Sequence, residues 1–194
     1  MRFMLATGNA HKLEDPQRLV ELPPATVVDL LQLEGAETVV DYGAGTGMYS
    51  VPLARALPHG HVVAVDAYAE LLQRLQAKLD DALRARVQVV HTEADRVPLA
   101  DGAADRVLLI TVLHHIHDEP QALNEVVRLL RPGGLLVCID FGHMDRPVGP
   151  PKDHVLTTAA ARAVLAGLGL RELAVHEPGT LLRYHLAIVS EKPA

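Results

Sequence analysis

Tryptophan is absent from this 194-residue chain, phenylalanine occurs twice and tyrosine four times. So few rings cannot build the stacking platforms that grip single-stranded nucleic acid, and the core has to be aliphatic. Cysteine occurs once, at Cys138, which excludes an intramolecular disulfide framework and any multi-cysteine metal site. Positive charge is also in deficit: 18 Lys and Arg against 24 Asp and Glu leave a formal net charge of -6, the opposite of a nucleic-acid footprint. No uninterrupted apolar run approaches the roughly 18 residues that span a bilayer, and the N-terminus lacks the basic-then-apolar pattern of a secretory signal. These absences point to a cytoplasmic protein with neither a nucleic-acid nor a membrane partner. A hydrophobic content of 49% with 22% charged residues fits one globular domain over residues 1–194.

What is present is a regular alternation of short strands and helices, the pattern of an α/β fold with helices on both faces of a mostly parallel sheet. Thr38–Asp41, His61–Asp66, Val87–His91, Arg106–Thr111 and Leu135–Asp140 are short runs rich in Val, Ile and Leu that end at a polar residue, as buried strands do. Leu71, Leu72, Leu75, Leu79 and Leu83 form one helical stripe. Leu123, Val126, Val127 and Leu130 form another, with Asp118 as cap and Pro120 in the first turn. Arg131-Pro132-Gly133-Gly134 ends that helix and opens the next strand. Pro52 requires the helix after the glycine loop to begin near Val51 or to kink there. A helix over about Thr157–Leu168 leads into Leu170–His176 and Leu182–Val189, and the turn Glu177-Pro178-Gly179 predicts that these two strands pair antiparallel. Seven strands result. Residues 1–35 read as an N-terminal helical lid or brace, with a short helix near Asp15–Glu21 and a second reaching about Leu33.

The run Val39 to Gly47, VVDYGAGTG, is a buried strand ending in an acid, then a loop with glycine at alternate positions. Gly43, Gly45 and Gly47 let backbone approach a ligand closely. Asp41 sits at the carboxyl end of its strand, where ligands bind in open α/β sheets. Asp66 ends the second strand, where an acid accepts hydrogen bonds from both hydroxyls of a ribose. Thr92-Glu93-Ala94-Asp95 follows the third, so Asp95 can receive an adenine amino group and the Ala94 N–H a ring nitrogen. The joint arrangement is a chain-ordered nucleoside site. A dinucleotide fingerprint needs a small residue where Met48 stands, and no Gly-Lys-Ser/Thr follows to make a phosphate loop. No basic residue lies in the loop, and Asp41 repels pyrophosphate while suiting an ammonium. A ligand with ribose, adenine, ammonium and no phosphate is S-adenosylmethionine, with S-adenosylhomocysteine as its product.

On these residues the chain resembles the class I S-adenosylmethionine-dependent methyltransferases, in the small bacterial branch similar to the ubiquinone/menaquinone-biosynthesis methyltransferases. VVDYGAGTG looks like that family's first motif, DGAADRVLLITVLHHIHD its fourth-strand motif, and LLRPGGLLVCIDF the approach to its fifth strand. The resemblance covers roughly residues 11–190. It implies a Rossmann-like three-layer αβα sandwich whose seven-stranded sheet has the order 3-2-1-4-5-7-6, strand 7 antiparallel. It implies that Asp41, Gly43, Ala44, Gly45 and Gly47 hold the methionine moiety and that Asp66 and Ala67 bind the ribose. Ala94 and Asp95 then surround adenine, and Thr111 lies beneath the sulfonium. His11-Lys12-Leu13 resembles a segment that folds over the cofactor. The chain is shorter than the quinone-modifying members, with little insertion after the fifth strand, which argues against a large prenylated acceptor.

Histidines cluster after the fourth strand (His114, His115, His117), around the proline-rich loop after the fifth (His143, His154) and at His185. The topology places these segments near the ligand edge, where an imidazole can take a proton from the acceptor. His115 and His154 are the candidate bases. The histidine spacings match no metal-binding pattern, and no metal is expected. The sequence-level conclusion is an enzyme that transfers a methyl group to a small-molecule acceptor, acting as a monomer or homodimer. A non-catalytic S-adenosylmethionine-binding or regulatory protein is the alternative from another class, and a dinucleotide oxidoreductase a further one. A nucleic-acid methyltransferase would need an Asn/Asp-Pro-Pro-Tyr/Phe run that is absent, and arsenic methylation would call for several cysteines.

Overall fold

A computed structural model of the chain describes residues 13–92 and 96–194. Its strands are β1 Thr38–Tyr42, β2 His61–Asp66, β3 Val87–His91, β4 Ala104–Ile110, β5 Leu130–Phe141, β6 Arg171–His176 and β7 His185–Glu191. They form one sheet in the order β3-β2-β1-β4-β5-β7-β6. β1 pairs parallel with both β2 and β4, whereas β7 runs antiparallel to both β5 and β6. The expected fold class and strand order are thus the observed ones.

Alternate residues along each strand enter different cores. Val39, Leu108, Ile110, Val137 and Ile139 pack on one face with α2 (Pro24–Leu31), α3 (Ser50–Ala56) and α4 (Ala69–Ala77). Val40, Val107, Leu109, Leu136 and Cys138 pack on the other with α7 (Pro120–Leu129) and α8 (Thr158–Gly167). Covering both faces is why the strands read as continuous apolar runs rather than alternating ones. α1 (Pro16–Glu21) begins after Asp15, whose carboxylate accepts the Gln17 N–H. α5 (Asp81–Arg84) is a single turn, and α6 (Leu113–Ile116) another directly after β4.

Several boundaries differ from the sequence expectation for local reasons. The leucine stripe from Leu71 to Leu83 is buried throughout but is divided between α4 and α5, because the Asp80 carboxylate caps the Leu83 N–H and starts a new helix. Pro52 is the third residue of α3, among the first N–H positions that have no intrahelical acceptor, so no kink is needed. Glu119, not Asp118, stands at the cap of α7, with Pro120 in the first turn as expected. β5 starts five residues early and carries Arg131-Pro132-Gly133-Gly134 inside the strand, where the Gly133 N–H donates to the Lys192 carbonyl at 2.7 Å. The connection between β6 and β7 is longer than a tight Pro-Gly turn and is closed by Gly179 N–H donating to Leu182 O at 2.8 Å.

β1 connects onward to β2 on one side, and β4 lies on its other side. The crevice between the carboxyl ends of β1 and β4 is therefore the switch point of the sheet, the place where such folds bind ligands.

Candidate active site

A cavity of about 280 Å³ opens at that switch point. The glycine loop forms one wall. Its Gly43 and Ala44 N–H groups both donate to Val65 O, at 2.8 and 2.9 Å, which ties the loop to the end of β2. Gly43 has a φ of +84°, and a Cβ there would meet Val112 Cγ2 at 2.4 Å, so only glycine lets the β1 and β4 ends come this close. Gly47, with φ of +78°, faces the opposite way: a Cβ would meet Leu75 Cδ1 at 2.1 Å. Gly47 is not among the residues lining the cavity, so the structure gives it a packing position against α4 where a ligand contact was expected.

Asp41 and Asp66 both line the cavity. Asp41 is 3% exposed, and its Oδ2 accepts the Ser50 hydroxyl at 2.5 Å. Burial, followed by the like charge of Asp66, pushes its pKa up to about 6 despite that hydrogen bond. A buried carboxylate of this kind gains from a cation beside it. Asp66 accepts the Gly45 N–H on one oxygen at 2.7 Å and the Tyr68 N–H on the other at 2.9 Å. Burial raises its pKa as well. Each oxygen keeps a lone pair, so the anchored carboxylate can still accept two hydroxyls. Ala44, Gly45, Ala67 and Thr111 line the same cavity. Ala94 and Asp95 lie outside the described residues, as do His11 and Lys12; Leu13 is on the wall.

The other half of the cavity is built after β4. Thr111 has a φ of +54°, a strained conformation for a β-branched residue and one held here by Thr111 N–H donating to Ile139 O at 2.7 Å. His115 follows in α6, exposed at the cavity mouth. Partial burial of its ring, then the neighbouring His114, lowers its pKa to about 4, so it is neutral at pH 7 and a weaker base than an ordinary imidazole. His154 is not brought to this cavity. The Arg146 guanidinium donates to the carbonyls of Gly142, Met144 and Pro150, gathering the proline-rich loop on itself, and His154 ends an exposed 3-10 turn, Lys152–His154.

Sequence reading missed two features. Asp140, at the end of β5, accepts both the backbone N–H and Nδ1–H of His114, at 2.9 and 2.7 Å, and so fixes the tautomer and the turn that carries His115. The His114 and His115 rings lie 3.9 Å apart between centroids. Adjacency of β4 and β5 in the sheet was the available signal. The second is Arg18 of α1, which reaches the cavity and donates from Nη2 to Thr111 Oγ1 at 3.4 Å.

Fold and cavity together define an open α/β protein whose switch point carries a glycine loop, two buried acids, Asp41 and Asp66, and one guanidinium, that of Arg18. Comparison with known proteins narrows the class. A family described as a methyltransferase domain matches residues 40–138, and the chain belongs to it. It is 31% identical over 119 residues to the demethylmenaquinone methyltransferase of Listeria welshimeri, covering 61% of this chain and 50% of that protein. The ubiquinone/menaquinone biosynthesis C-methyltransferase of Hahella chejuensis is 31% identical over 123 residues, covering 62% and 49%. The chain thus spans about half the length of these curated relatives. A SAM-dependent methyltransferase from Aquifex aeolicus superposes with a TM-score of 0.86 at 27% identity, over 94% of this chain and 96% of that one. The fold alone is shared with a [4+2]-cyclase, TM-score 0.75 at 16% identity over 88% of this chain and 80% of that one, so architecture by itself does not name a reaction. Among the described residues, no helix is long and apolar enough to cross a membrane.

Proposed function

We propose that this chain is an S-adenosylmethionine-dependent methyltransferase acting on a small-molecule acceptor. The carrying observation is the single cavity that joins the glycine loop, Asp41 and Asp66 to the end of β4 with Thr111 and His115. The residues fit the cofactor. Asp41 is a buried acid whose ionised form gains from an ammonium, Asp66 offers two acceptor oxygens to ribose hydroxyls, and Gly43 leaves the close approach open. S-adenosylmethionine, when bound, supplies an electrophilic methyl group on a sulfonium.

The chain's own residues have three tasks. Asp41, Gly43, Ala44 and Gly45 hold the methionine end, while Asp66 and Ala67 hold the ribose. Leu13, Met48, Ile110, Val112 and Ile116 line the cavity with apolar surface that excludes water. In-line displacement depends chiefly on such positioning, which supplies roughly 7–11 kcal/mol in well-oriented systems. His115 receives the acceptor's proton on its imidazole where the acceptor has one to lose, and Asp140, through His114, positions the turn that carries it. The restricted volume and the folded-back loop after β5 support an acceptor of modest size.

Thermal-shift and calorimetric titrations with S-adenosylhomocysteine and NAD test the assignment. Binding of the homocysteine compound without NAD binding is expected, together with transfer of tritiated methyl from labelled cofactor to a low-molecular-weight fraction of cell extract. Stabilisation by NAD alone would overturn the assignment, and cofactor binding with no transfer to any fraction would favour a regulatory protein.

A further inference from the structure

The ligand edge of the sheet continues from β4 onto β5 and β7, and one corner there holds polar groups without partners. Phe141 ends β5 and pairs in register with His185, which opens β7; their ring centroids lie 4.9 Å apart. The Arg146 guanidinium covers the same Phe141 ring at 4.8 Å from its centroid. His185 is 4% exposed, and among the described residues neither of its ring nitrogens has a hydrogen-bond partner. Arg146 gives Nη1 to the Gly142 and Met144 carbonyls and Nη2 to that of Pro150. Its Nε is buried without an acceptor, and among the described residues no carboxylate pairs with the guanidinium. Burial works against the charge that Arg146 carries. Polar groups left in this state cost free energy, so the corner lacks a partner that its donors require. Asp140 is not that partner, because both its oxygens are committed to the His114 N–H, the His114 Nδ1–H and the Phe141 N–H. A Cβ on Gly149 would fill the corner, lying 2.6 Å from Arg146 Nε and 3.1 Å from Phe141 Cε1.

We infer that the corner formed by Phe141, Arg146 and His185 anchors the methyl acceptor, and that the group it takes is a carboxylate. The inference rests on the methyltransferase reading above, which sets the reacting methyl beside Thr111. A planar carboxylate matches the free edge of a guanidinium and can share its second oxygen with an imidazole N–H. The surrounding field has the right sign: the charges of Arg18 and Arg146 on His185 exceed that of Asp140. Arg18 also lines the cavity, so the corner and the cavity adjoin. Ile110 pairs with Ile139 and Phe141 with His185, so the ends of β4, β5 and β7 follow one another along the edge. Neighbouring strands lie about 4.8 Å apart, which puts the anchor roughly 10 Å from the end of β4. An acceptor that spans this distance is the size of one substituted ring, with Phe141 as the apolar surface beneath it.

Imidazole ¹⁵N spectra of the full chain loaded with S-adenosylhomocysteine, titrated with benzoate and with its neutral isostere benzamide, test the proposal. Benzoate is expected to move the His185 nitrogen resonances saturably and to bind about 10- to 100-fold more tightly than benzamide, the range for charge-assisted hydrogen bonds. His185→Phe, which keeps a ring against Phe141, and Arg146→Met should each remove about tenfold or more of the benzoate affinity, with Arg146→Lys in between. S-adenosylhomocysteine affinity within twofold of wild type shows that a variant is folded. In the extract assay, the tritiated product should be retained by an anion exchanger at pH 7. Benzoate binding no tighter than benzamide, unmoved His185 nitrogens, or unchanged benzoate affinity in both His185→Phe and Arg146→Met overturns the inference, and means that water alone satisfies these groups. An uncharged labelled product overturns it as well. Failure of the wild-type protein to take up S-adenosylhomocysteine, read before any benzoate is added, would instead sink the cofactor assignment.

Discussion

Replacing Asp41 with Asn should make the free protein more stable and the liganded one weaker. Asp41 is 3% exposed with its Oδ2 on the Ser50 hydroxyl, and its pKa is raised from 3.8 to about 6. A raised acid keeps its proton in the folded state after the unfolded chain has lost it, so its contribution to stability falls as pH rises through the window from 3.8 to 6. Each pKa unit corresponds to about 1.4 kcal/mol, so at pH 7 the ionised carboxylate costs on the order of 3 kcal/mol. Asn keeps an acceptor for Ser50 and carries no charge. Urea unfolding of the free proteins at half-unit steps from pH 4 to 7 should show Asp41→Asn gaining on the wild type as pH rises and levelling above about 6. Taking the difference between the two proteins removes the uncoupled carboxylates from the comparison, such as Glu37 and Asp105, lowered by backbone and arginine partners, whereas Asp66, whose charge acts on Asp41, contributes to the difference. S-adenosylhomocysteine affinity should move the opposite way: Asn loses a charge-assisted contact of about 1.5–3 kcal/mol, and wild-type affinity should decline below about pH 6 as Asp41 protonates. A variant that is less stable at pH 7, or a stability difference flat across pH 4–6, would refute the claim that a cation is what this carboxylate is buried to receive.

Asp66→Ala should weaken S-adenosylhomocysteine binding by about 1.5–3 kcal/mol in calorimetry, because hydrogen bonds to a charged acceptor are lost; unchanged affinity would remove the ribose assignment. Gly47→Ala should cost about 2–4 kcal/mol in urea unfolding, combining a disfavoured φ of +78° with overpacking against Leu75, and a Leu75→Ala partner should recover part of it in a double-mutant cycle. Additivity of the two changes would contradict the packing role. His115→Ala should lower kcat by about 10²–10⁴-fold with little effect on cofactor affinity if the acceptor must lose a proton, whereas His154→Ala should leave kcat within about twofold. The reverse order would return the base to the proline-rich loop.

How much of this could be read from the chain depends on how far apart the cooperating residues lie. β2 and β3 match their expected bounds to the residue because each apolar run is fenced by polar ones. Asp41 and Asp66 could be assigned singly, since each needs only the end of its own strand. The three glycines of the loop, by contrast, look alike in sequence and differ in space: Gly43 faces Val112 across the switch point, while Gly47 backs onto a helix beyond the next strand. Pro150 and Pro151 stiffen the loop that carries His154, but stiffness carries no direction, and Arg146 turns that loop inward on its own carbonyls. The His114–Asp140 pair needs β4 and β5 to be neighbours, and the Arg18–Thr111 contact spans 93 positions.

These distances sort the site into two parts. The family match runs over residues 40–138 and contains the glycine loop, Asp41, Asp66, Thr111 and His115. Arg18, Asp140, Phe141 and His185 fall outside it, yet they converge behind that same wall: Phe141 lies 5.7 Å from the His114 ring and 4.9 Å from His185. His185 is buried, its Nδ1 has no hydrogen-bond partner among the described residues, and burial together with the charge of Arg18 lowers its pKa to about 4. The segments outside the family match therefore bring Arg18 to the same cavity and place the buried Asp140 and His185 behind its wall. Acceptor preference should consequently follow exchange of the β5–β7 region between relatives, while cofactor affinity follows residues 40–115.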